Sequence, residues 1–198
     1  MKNTSNRLNI AVYCASSSKV DSAYIDAAQS LGDIFAEEKV HAIFGAGHSG
    51  LMGAFADAVI AKEGTITGVI PAFMIENNWH HSQLEQLIIT DTMHERKARM
   101  AQLADAAVAL PGGCGTLEEL LEVITWKQLN LFCKPIIIVN IKDYFAPLLA
   151  MLEKAVSEQF MHPEHRKLWE VVSSPDAVLS AIRNTLNKKE TDSNFAVV

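Results

Sequence analysis

The sequence predicts an α/β protein: a single-domain, Rossmann-like fold in which a doubly wound parallel sheet carries helices on both faces. Strand-like apolar runs alternate with amphipathic helical patterns along the chain of 198 residues. The strand-like runs are rich in β-branched residues and almost continuously apolar, which is typical of parallel strands buried on both faces. Glycine-rich turns follow several of these runs, at the carboxyl ends of strands where such sheets bind their ligands.

The predicted elements follow one another without an internal repeat. Strands are predicted, from their apolar runs, at 8–15, 40–47, 65–74, 86–93, 106–113, 134–140 and 169–174. Helices are predicted, from apolar residues recurring every three to four positions, at 21–39, 50–64, 94–105, 116–132, 144–160 and 175–189. One domain over residues 1–188 is expected, and residues 189–198, which lack periodicity, are expected to form a disordered tail.

The composition limits the classes of protein to consider. A net charge of −6 argues against non-specific binding to nucleic acid, which requires a basic surface. The three cysteines form no Cys-x-x-Cys pair, no apolar run approaches the roughly 18 residues of a membrane span, and the N-terminal residues lack the apolar core of a signal peptide. We therefore expect a cytoplasmic protein that binds neither nucleic acid nor membrane.

The most informative motif is the glycine-rich turn after the fifth predicted strand. There the apolar run 106–110 leads directly into glycines and then into a long helix. Backbone amides of such a turn approach an anion closely, and the helix N-terminus adds about half a positive charge. The turn therefore predicts a phosphate site made of Pro111, Gly112, Gly113, Cys114, Gly115 and Thr116. Ser16, which follows the first strand, is a further candidate anion donor.

Carboxylates on the helix after this turn allow two interpretations. Thr116 and Glu119 fit a capping box, with the threonine at the N-cap and the glutamate three residues later. Alternatively, Glu119 and Glu122 lie above the phosphate site and act on the ribose hydroxyls and the anomeric carbon. Glu118 and Glu122 are four residues apart and share one helix face. The spacing alone leaves both interpretations open.

A second glycine pattern, G-x-G-x-x-G, is formed by Gly45, Gly47 and Gly50. It resembles a dinucleotide fingerprint, but the next strand ends without the acidic residue that would hold a ribose. The pattern is also explained by a tight turn that packs a helix closely on a strand. We favour an intermediate interpretation, in which Gly45 and Gly47 give a nucleotide a second backbone surface.

Three cations, Arg96, Lys97 and Arg99, lie near the start of the helix predicted at 94–105. Cations at a helix N-terminus oppose the macrodipole, which suggests that a function requires them there. The simpler interpretation is a solvated face whose charges pair with Glu95. The pattern does not decide between them.

The histidine pairs do not predict a metal site. His80 and His81 lie in one predicted loop, and His162 and His165 lie around Pro163. Neither pair has a third ligand at the spacing of a zinc site, so we expect surface or loop histidines. The sequence also lacks the G-x-S-x-G elbow of hydrolases and the phosphate-binding loop of ATPases.

Together these motifs resemble the Lonely Guy (LOG) family of cytokinin riboside 5′-monophosphate phosphoribohydrolases. The hallmark P-G-G-x-G-T-x-x-E is present at 111–119, the companion M-H-x-R-K-x-x-M at 93–100 and G-L-M-G at 50–53. The similarity extends from about Ile10 to about Phe160. Cys114 stands where the family usually has tyrosine, which leaves the preferred base open, and Gly45-Ala46-Gly47 replaces the usual glycine triplet.

The resemblance implies hydrolysis of the N-glycosidic bond of AMP or an N6-modified AMP, giving free base and ribose 5-phosphate without a metal or other cofactor. It assigns catalysis to Arg96 and Glu119 and implies a homodimer with the active site near its interface. The further residues expected to bind substrate, outside the turn at 111–116, are Ser16, Gly45, Gly47, Met93, Lys97 and Glu122.

Two other functions are considered for this fold and family. A non-catalytic nucleotide-binding or cofactor-carrier protein has the same fold, as in Rossmann-like proteins that carry a molybdenum cofactor, but the retained Arg96 and Glu119 favour an enzyme. The family has also been described as lysine decarboxylases. Pyridoxal-phosphate chemistry requires a Schiff-base lysine in a buried pocket, and the nearest candidate, Lys97, is expected at an exposed helix start.

Overall fold

A computed structural model of the chain describes residues 7–188. Its centre is a seven-stranded sheet in which every neighbouring pair of strands is parallel. The strands are β1 (Asn9–Tyr13), β2 (His41–Phe44), β3 (Thr65–Pro71), β4 (Gln86–Thr90), β5 (Ala106–Ala109), β6 (Ile136–Val139) and β7 (Glu170–Val172). Their order across the sheet is β4-β3-β2-β1-β5-β6-β7. The predicted fold class is confirmed, including the short last strand; the predicted tail at 189–198 lies outside the described residues.

Helices connect the strands. They are α1 (Ser22–Glu37), α2 (Gly50–Ala61), α3 (Ala72–Glu76), α4 (Met93–Leu103), α5 (Cys114–Gln128), α6 (Ala146–Ser157) and α7 (Val178–Lys188). Short 3-10 helices lie at Ile141–Asp143, Pro163–Lys167 and Pro175–Ala177. No helix within residues 7–188 is long and apolar enough to cross a lipid bilayer.

The core has two layers because successive side chains of each strand point to opposite faces of the sheet. On one face, Val12 and its equivalents pack against α1, α2 and α7. On the other, Tyr13 and its equivalents pack against α4, α5 and α6. The two helices that carry the sequence motifs, α4 and α5, are therefore packed on the same face.

The prediction that the third strand continues to residue 74 is wrong. The strand ends at Pro71, and the next five residues form α3. Proline has no amide hydrogen with which to continue the ladder, and its fixed φ suits the start of a helix. This change of direction brings Met74 to the wall of the cleft described below.

The strand order reverses beside β1, because β2, β3 and β4 follow on one side and β5, β6 and β7 on the other. At such a switch point the chain leaves neighbouring strands in opposite directions and opens a crevice beyond their carboxyl ends. In this chain the segments that leave these ends are 14–18, after β1, and the glycine-rich turn 110–113, after β5.

Candidate active site

A cleft of about 380 Å³ lies at this switch point. The segment after β1 forms one wall, α4 another and the N-terminus of α5 the floor. Its lining residues are Cys14, Ala15, Ser16, Ser17, Met52, Met74, Met93, Arg96, Lys97, Gly113, Cys114, Gly115, Thr116, Glu118 and Glu119. The volume falls within the range of small-molecule sites.

The floor of the cleft is the first turn of α5. This helix begins at Cys114, and its N-cap, Gly113, makes no side-chain hydrogen bond. The first helical amide that donates within the turn is that of Leu117, to Gly113 O at 3.0 Å. The amides of residues 114–116 precede it and have no helical acceptor, as at any helix N-terminus. The predicted capping box is therefore wrong, because the helix starts two residues before Thr116 and that threonine lies inside the first turn.

Two glycines of this turn leave room that no protein atom uses. A Cβ added at Gly113 or Gly115 would meet nothing within 4 Å, and neither residue has the left-handed φ that favours glycine. At Gly112, by contrast, an added Cβ would lie 2.1 Å from Oγ1 of Thr116. Packing within the protein therefore explains Gly112, whereas the space beside Gly113 and Gly115 faces the cleft.

Arg96 and Glu119 form a buried ion pair at the wall of the cleft. Arg96 Nη1 donates to Glu119 Oε1 at 2.9 Å, and Arg96 Nε donates to the carbonyl of Val69 at 3.1 Å. The two residues are only 5% and 8% exposed. A guanidinium fixed in two directions cannot swing freely, so it holds the carboxylate in one orientation beside the cleft.

The pKa of Glu119 lies above its usual value. Burial, which penalises the charged carboxylate, is the largest cause, and it outweighs the opposing effects of the charge of Arg96 and its hydrogen bond. A carboxylate that is costly to desolvate and held by a single guanidinium is poised to accept a proton or to stabilise a nearby positive charge.

Lys97 is buried rather than exposed, which corrects the prediction for this residue. Its Nζ donates to Glu118 Oε1 at 2.8 Å and to Glu122 Oε1 at 3.2 Å. Burial alone lowers the pKa of Lys97, but these two hydrogen bonds and charges outweigh it and raise the pKa. The same bond from Lys97 lowers the pKa of Glu118. Lys97 therefore links α4 to α5 through two ion pairs.

Arg96 and Lys97 therefore pair with carboxylates of α5 rather than with Glu95. Arg99, the third cation, is exposed, as the interpretation of a solvated face expects. The N-cap of this helix is Thr92, whose hydroxyl accepts from Glu95 N at 3.1 Å, while the Glu95 carboxylate accepts from Asp91 N at 2.9 Å. Because the Glu95 carboxylate bonds the backbone at the start of the helix, Arg96 and Lys97 pair with the carboxylates of α5 instead.

The turn after β2 supports the site from behind. A Cβ at Gly45 would lie 1.8 Å from Nη2 of Arg96, and one at Gly47 would lie 3.0 Å from the sulfur of Met52. Gly45 therefore makes room for the guanidinium, and neither glycine lines the cleft. Ala46 between them has φ of +60°, a conformation in which glycine is relaxed and alanine is strained. That strain explains why a glycine triplet suits this turn.

The structure brings together most of the residues expected to contact substrate. Those that line the cleft are Ser16, Met93, Arg96, Lys97, Gly113, Cys114, Gly115, Thr116 and Glu119. The other expected residues are not part of the lining: Gly45, Gly47, Pro111, Gly112 and Glu122. Glu122 accepts from Lys97 through Oε1 at 3.2 Å, and its expected contact with ribose hydroxyls stays a prediction.

Sequence reasoning missed several residues of the wall. Cys14, Met52 and Met74 line the cleft but carry no motif of their own; G-L-M-G contains Met52 without showing where it points. Burial raises the pKa of the Cys14 thiol, so this cysteine is a neutral wall residue. The methionines add apolar surface to the wall of the cleft.

The two histidine pairs of the sequence analysis do not line the cleft, but one member of each pair is buried. His81 is buried and its Nε2 lies 3.0 Å from Asp57 Oδ1, and His165 is buried as well. Nδ1 of His81 accepts from Gln83 N at 3.3 Å, so Nε2 carries the proton that Asp57 accepts. Within residues 7–188 no group of three His, Cys, Asp or Glu side chains is arranged to hold a metal ion.

The fold and the site together define a Rossmann-type α/β protein with a glycine-rich turn and a buried arginine–glutamate pair in one cleft. The family described as "Possible lysine decarboxylase" matches residues 52–182. The chain belongs to this family, and the resemblance to the LOG proteins is confirmed by its curated relatives.

Three of those relatives are informative. The probable cytokinin riboside 5′-monophosphate phosphoribohydrolase LOGL9 of Oryza sativa subsp. japonica is 44% identical over 168 residues, covering 85% of this chain and 73% of that protein. The cytokinin riboside 5′-monophosphate phosphoribohydrolase LOG7 of Arabidopsis thaliana is 41% identical, covering 89% and 81%. The enzyme of the same name from Rhodococcoides fascians is 37% identical and covers 89% of each chain.

Solved structures share the fold at much lower identity. The molybdenum cofactor binding protein of Rippkaea orientalis superposes with a TM-score of 0.70 at 20% identity, covering 92% of this chain and 99% of that one. The molybdenum cofactor carrier protein of Chlamydomonas reinhardtii gives a TM-score of 0.70 at 18% identity, covering 92% and 100%. At such identities the likeness is one of architecture.

Proposed function

We propose that this protein hydrolyses the N-glycosidic bond of AMP or of an N6-modified AMP, releasing the free base and ribose 5-phosphate. The observation that carries the proposal is the buried Arg96–Glu119 pair at the wall of a cleft whose floor is the open turn at 113–116. The names of the curated relatives support the reaction, and the cleft volume supports a substrate of nucleotide size.

The 5′-phosphate is assigned to the first turn of α5. The side-chain charges around the cleft are already paired: Arg96 holds Glu119, and Lys97 holds Glu118 and Glu122. An anion therefore depends on the amides at residues 114–116 and on the positive end of the helix. The hydroxyls of Ser16, Ser17 and Thr116 are side-chain donors that line the cleft, and the space beside Gly113 and Gly115 admits the phosphate oxygens.

Glu119 is assigned to the reacting centre. Cleavage moves the electron pair of the C1′–N bond to the base and leaves positive charge on the ribosyl ring; water adds its oxygen to C1′, one water proton leaves, and the departing base takes up a proton. An ionised Glu119 stabilises the developing charge or accepts the proton of the attacking water. Arg96 orients this carboxylate, and the remote phosphate supplies binding energy that is used at C1′.

The other proposed activities fit the site less well. A Schiff-base lysine must lose its proton readily, whereas the ion pairs of Lys97 raise its pKa and occupy its amine. A non-catalytic carrier of a nucleotide or cofactor would not require a carboxylate and a guanidinium to be buried together at the cleft wall, because a buried pair is costly to desolvate.

The decisive experiment compares AMP with adenosine. The purified protein should release adenine and ribose 5-phosphate from AMP, detected by chromatography, and should leave adenosine intact because it lacks the phosphate that supplies remote binding energy. Isopentenyl-AMP, tested in parallel, shows whether the cleft prefers a modified base. Equal cleavage of AMP and adenosine would refute the assigned role of the turn, and binding of AMP without any cleavage would favour the carrier.

We also propose that the chain forms a homodimer and resides in the cytoplasm. Leu129 and Leu131, just beyond α5, are 57% and 72% exposed, which leaves apolar surface for a second copy to cover. The cysteines, Cys14, Cys114 and Cys133, are all unpaired, as a reducing compartment favours. Light scattering of the purified protein tests the first statement, and cell fractionation tests the second.

A further inference from the structure

We propose that Tyr144 is a positioning residue for the turn assigned above to the phosphate: its hydroxyl fixes the Gly112–Gly113 peptide, which leads into the first turn of α5. Tyr144 Oη donates to Gly112 O at 2.7 Å. The tyrosine lies between β6 and α6, 32 residues along the chain from the glycine it holds. No sequence motif of the site includes it. The inference rests on the function proposed above, because it concerns how the phosphate is held.

The turn needs such a bond because glycine supplies no side chain to anchor it. Its carbonyls are held one by one: Pro111 O accepts from Ala15 N at 3.2 Å, Gly112 O from Tyr144, and Gly113 O from Leu117 N at 3.0 Å. The first and third bonds come from the backbone, so a side-chain substitution does not remove them. The bond to Gly112 is the one in this series that depends on a side chain.

Peptide planarity carries the effect to the cleft. In a trans peptide the carbonyl of one residue and the amide hydrogen of the next point in opposite directions. Fixing Gly112 O therefore also fixes the direction of the Gly113 N–H, and with it the entry into the first turn of α5. Gly112 is buried, and a buried carbonyl that loses its partner is costly, so the peptide would turn toward another donor.

The tyrosine ring is itself held in place. It packs edge to face against Tyr24 of α1, with ring centroids 5.7 Å apart, and against Phe145, at 5.2 Å. These contacts do not involve the hydroxyl. Tyr144→Phe therefore keeps the packing and removes the bond to Gly112 alone.

The test uses Tyr144→Phe with Tyr24→Phe as its matched control. Tyr24 carries the neighbouring ring, and its hydroxyl makes no hydrogen bond to the described part of the chain. In Tyr144→Phe we expect KM for AMP and the inhibition constant of ribose 5-phosphate to rise together, by about 5- to 30-fold, while kcat falls less and the inhibition constant of adenine, which has no phosphate, stays unchanged. Tyr24→Phe should match the wild type in every constant.

Two results would overturn the inference. One is an unchanged inhibition constant for ribose 5-phosphate in a folded Tyr144→Phe protein. The other is an equal weakening of adenine and ribose 5-phosphate, which indicates a general structural defect. Calorimetric titration with AMP and with ribose 5-phosphate keeps this test separate from the proposed reaction: if the wild type does not cleave AMP, the proposed function fails, whereas the ratio of binding constants in the two variants still supports or refutes the role of Tyr144.

Discussion

Gly115→Ala should make the protein more stable and less active. Gly115 is the second residue of α5, its φ is not left-handed, and an added Cβ meets no protein atom within 4 Å. Alanine in a helix is more stable than glycine by about 0.5–1 kcal/mol because it loses less backbone entropy. For a chain of this length, that corresponds to a rise in Tm of about 1–4 °C.

The same methyl group enters the space assigned to the phosphate. A displacement of about 1 Å in a bound substrate can reduce the rate by about 100-fold, so kcat/KM for AMP should fall by roughly that factor. Thermal unfolding and a steady-state assay on AMP, with ribose 5-phosphate as a competing ligand, measure the two effects on the same protein.

Gly112→Ala is the matched control, because its Cβ would lie 2.1 Å from Thr116 Oγ1. That variant should lose stability and activity together, as expected of an overpacked site. The reasoning would be refuted if Gly115→Ala gained stability and still cleaved AMP with wild-type kcat/KM and unchanged inhibition by ribose 5-phosphate. The phosphate would then have to bind elsewhere.

Three further predictions concern the ion pairs. Glu119→Gln keeps an acceptor for Arg96 and removes a charge that burial disfavours, so Tm should change little while kcat falls at least about 100-fold. The control is Glu118→Gln, one residue away and outside the Arg96 pair, which should retain far more activity. Equal losses of activity in the two variants would contradict a special role for Glu119. Arg96→Lys should lose most activity because a single amine nitrogen cannot reproduce the planar fork in which Nε reaches Val69 O and Nη1 reaches Glu119. Lys97→Arg, which can still reach two carboxylates, should retain more, and wild-type constants for Arg96→Lys would contradict an orienting guanidinium. If Glu119 acts in its ionised form, kcat/KM for AMP should fall on acidification with a midpoint above 4.5, the usual pKa of a glutamate, because burial raises the pKa of Glu119. A raised pKa also means that the native state binds this proton more tightly than the unfolded chain does, so protonation of Glu119 should abolish activity without unfolding the protein. The residual activity of Glu119→Gln should lack this acidic decrease.

Local sequence was sufficient for most elements and for the position of the glycine-rich turn at the edge of the sheet. Apolar runs and helical spacing depend on neighbouring residues, so they predicted the strands, the main helices and the doubly wound class. The turn at 111–116 follows a strand and precedes a helix in the sequence, and in a parallel sheet that position must lie at the carboxyl edge. The errors of local reasoning were at boundaries: Pro71 ends β3 early, and α5 starts at Cys114 rather than Thr116.

The partners of the charged side chains were decided by tertiary structure alone. Arg96 and Glu119 are separated by 23 residues and meet because α4 and α5 pack on the same face of the sheet. The same packing buries Lys97, which local sequence placed on an exposed helix start, and ties it to Glu118 and Glu122. Local spacing determines which backbone conformation a residue adopts and which way it faces on its own element, whereas the neighbour it meets depends on how distant elements pack. For that reason, the contacts of these charged side chains, beyond the arginine and glutamate that the resemblance had singled out, were known only from the folded chain.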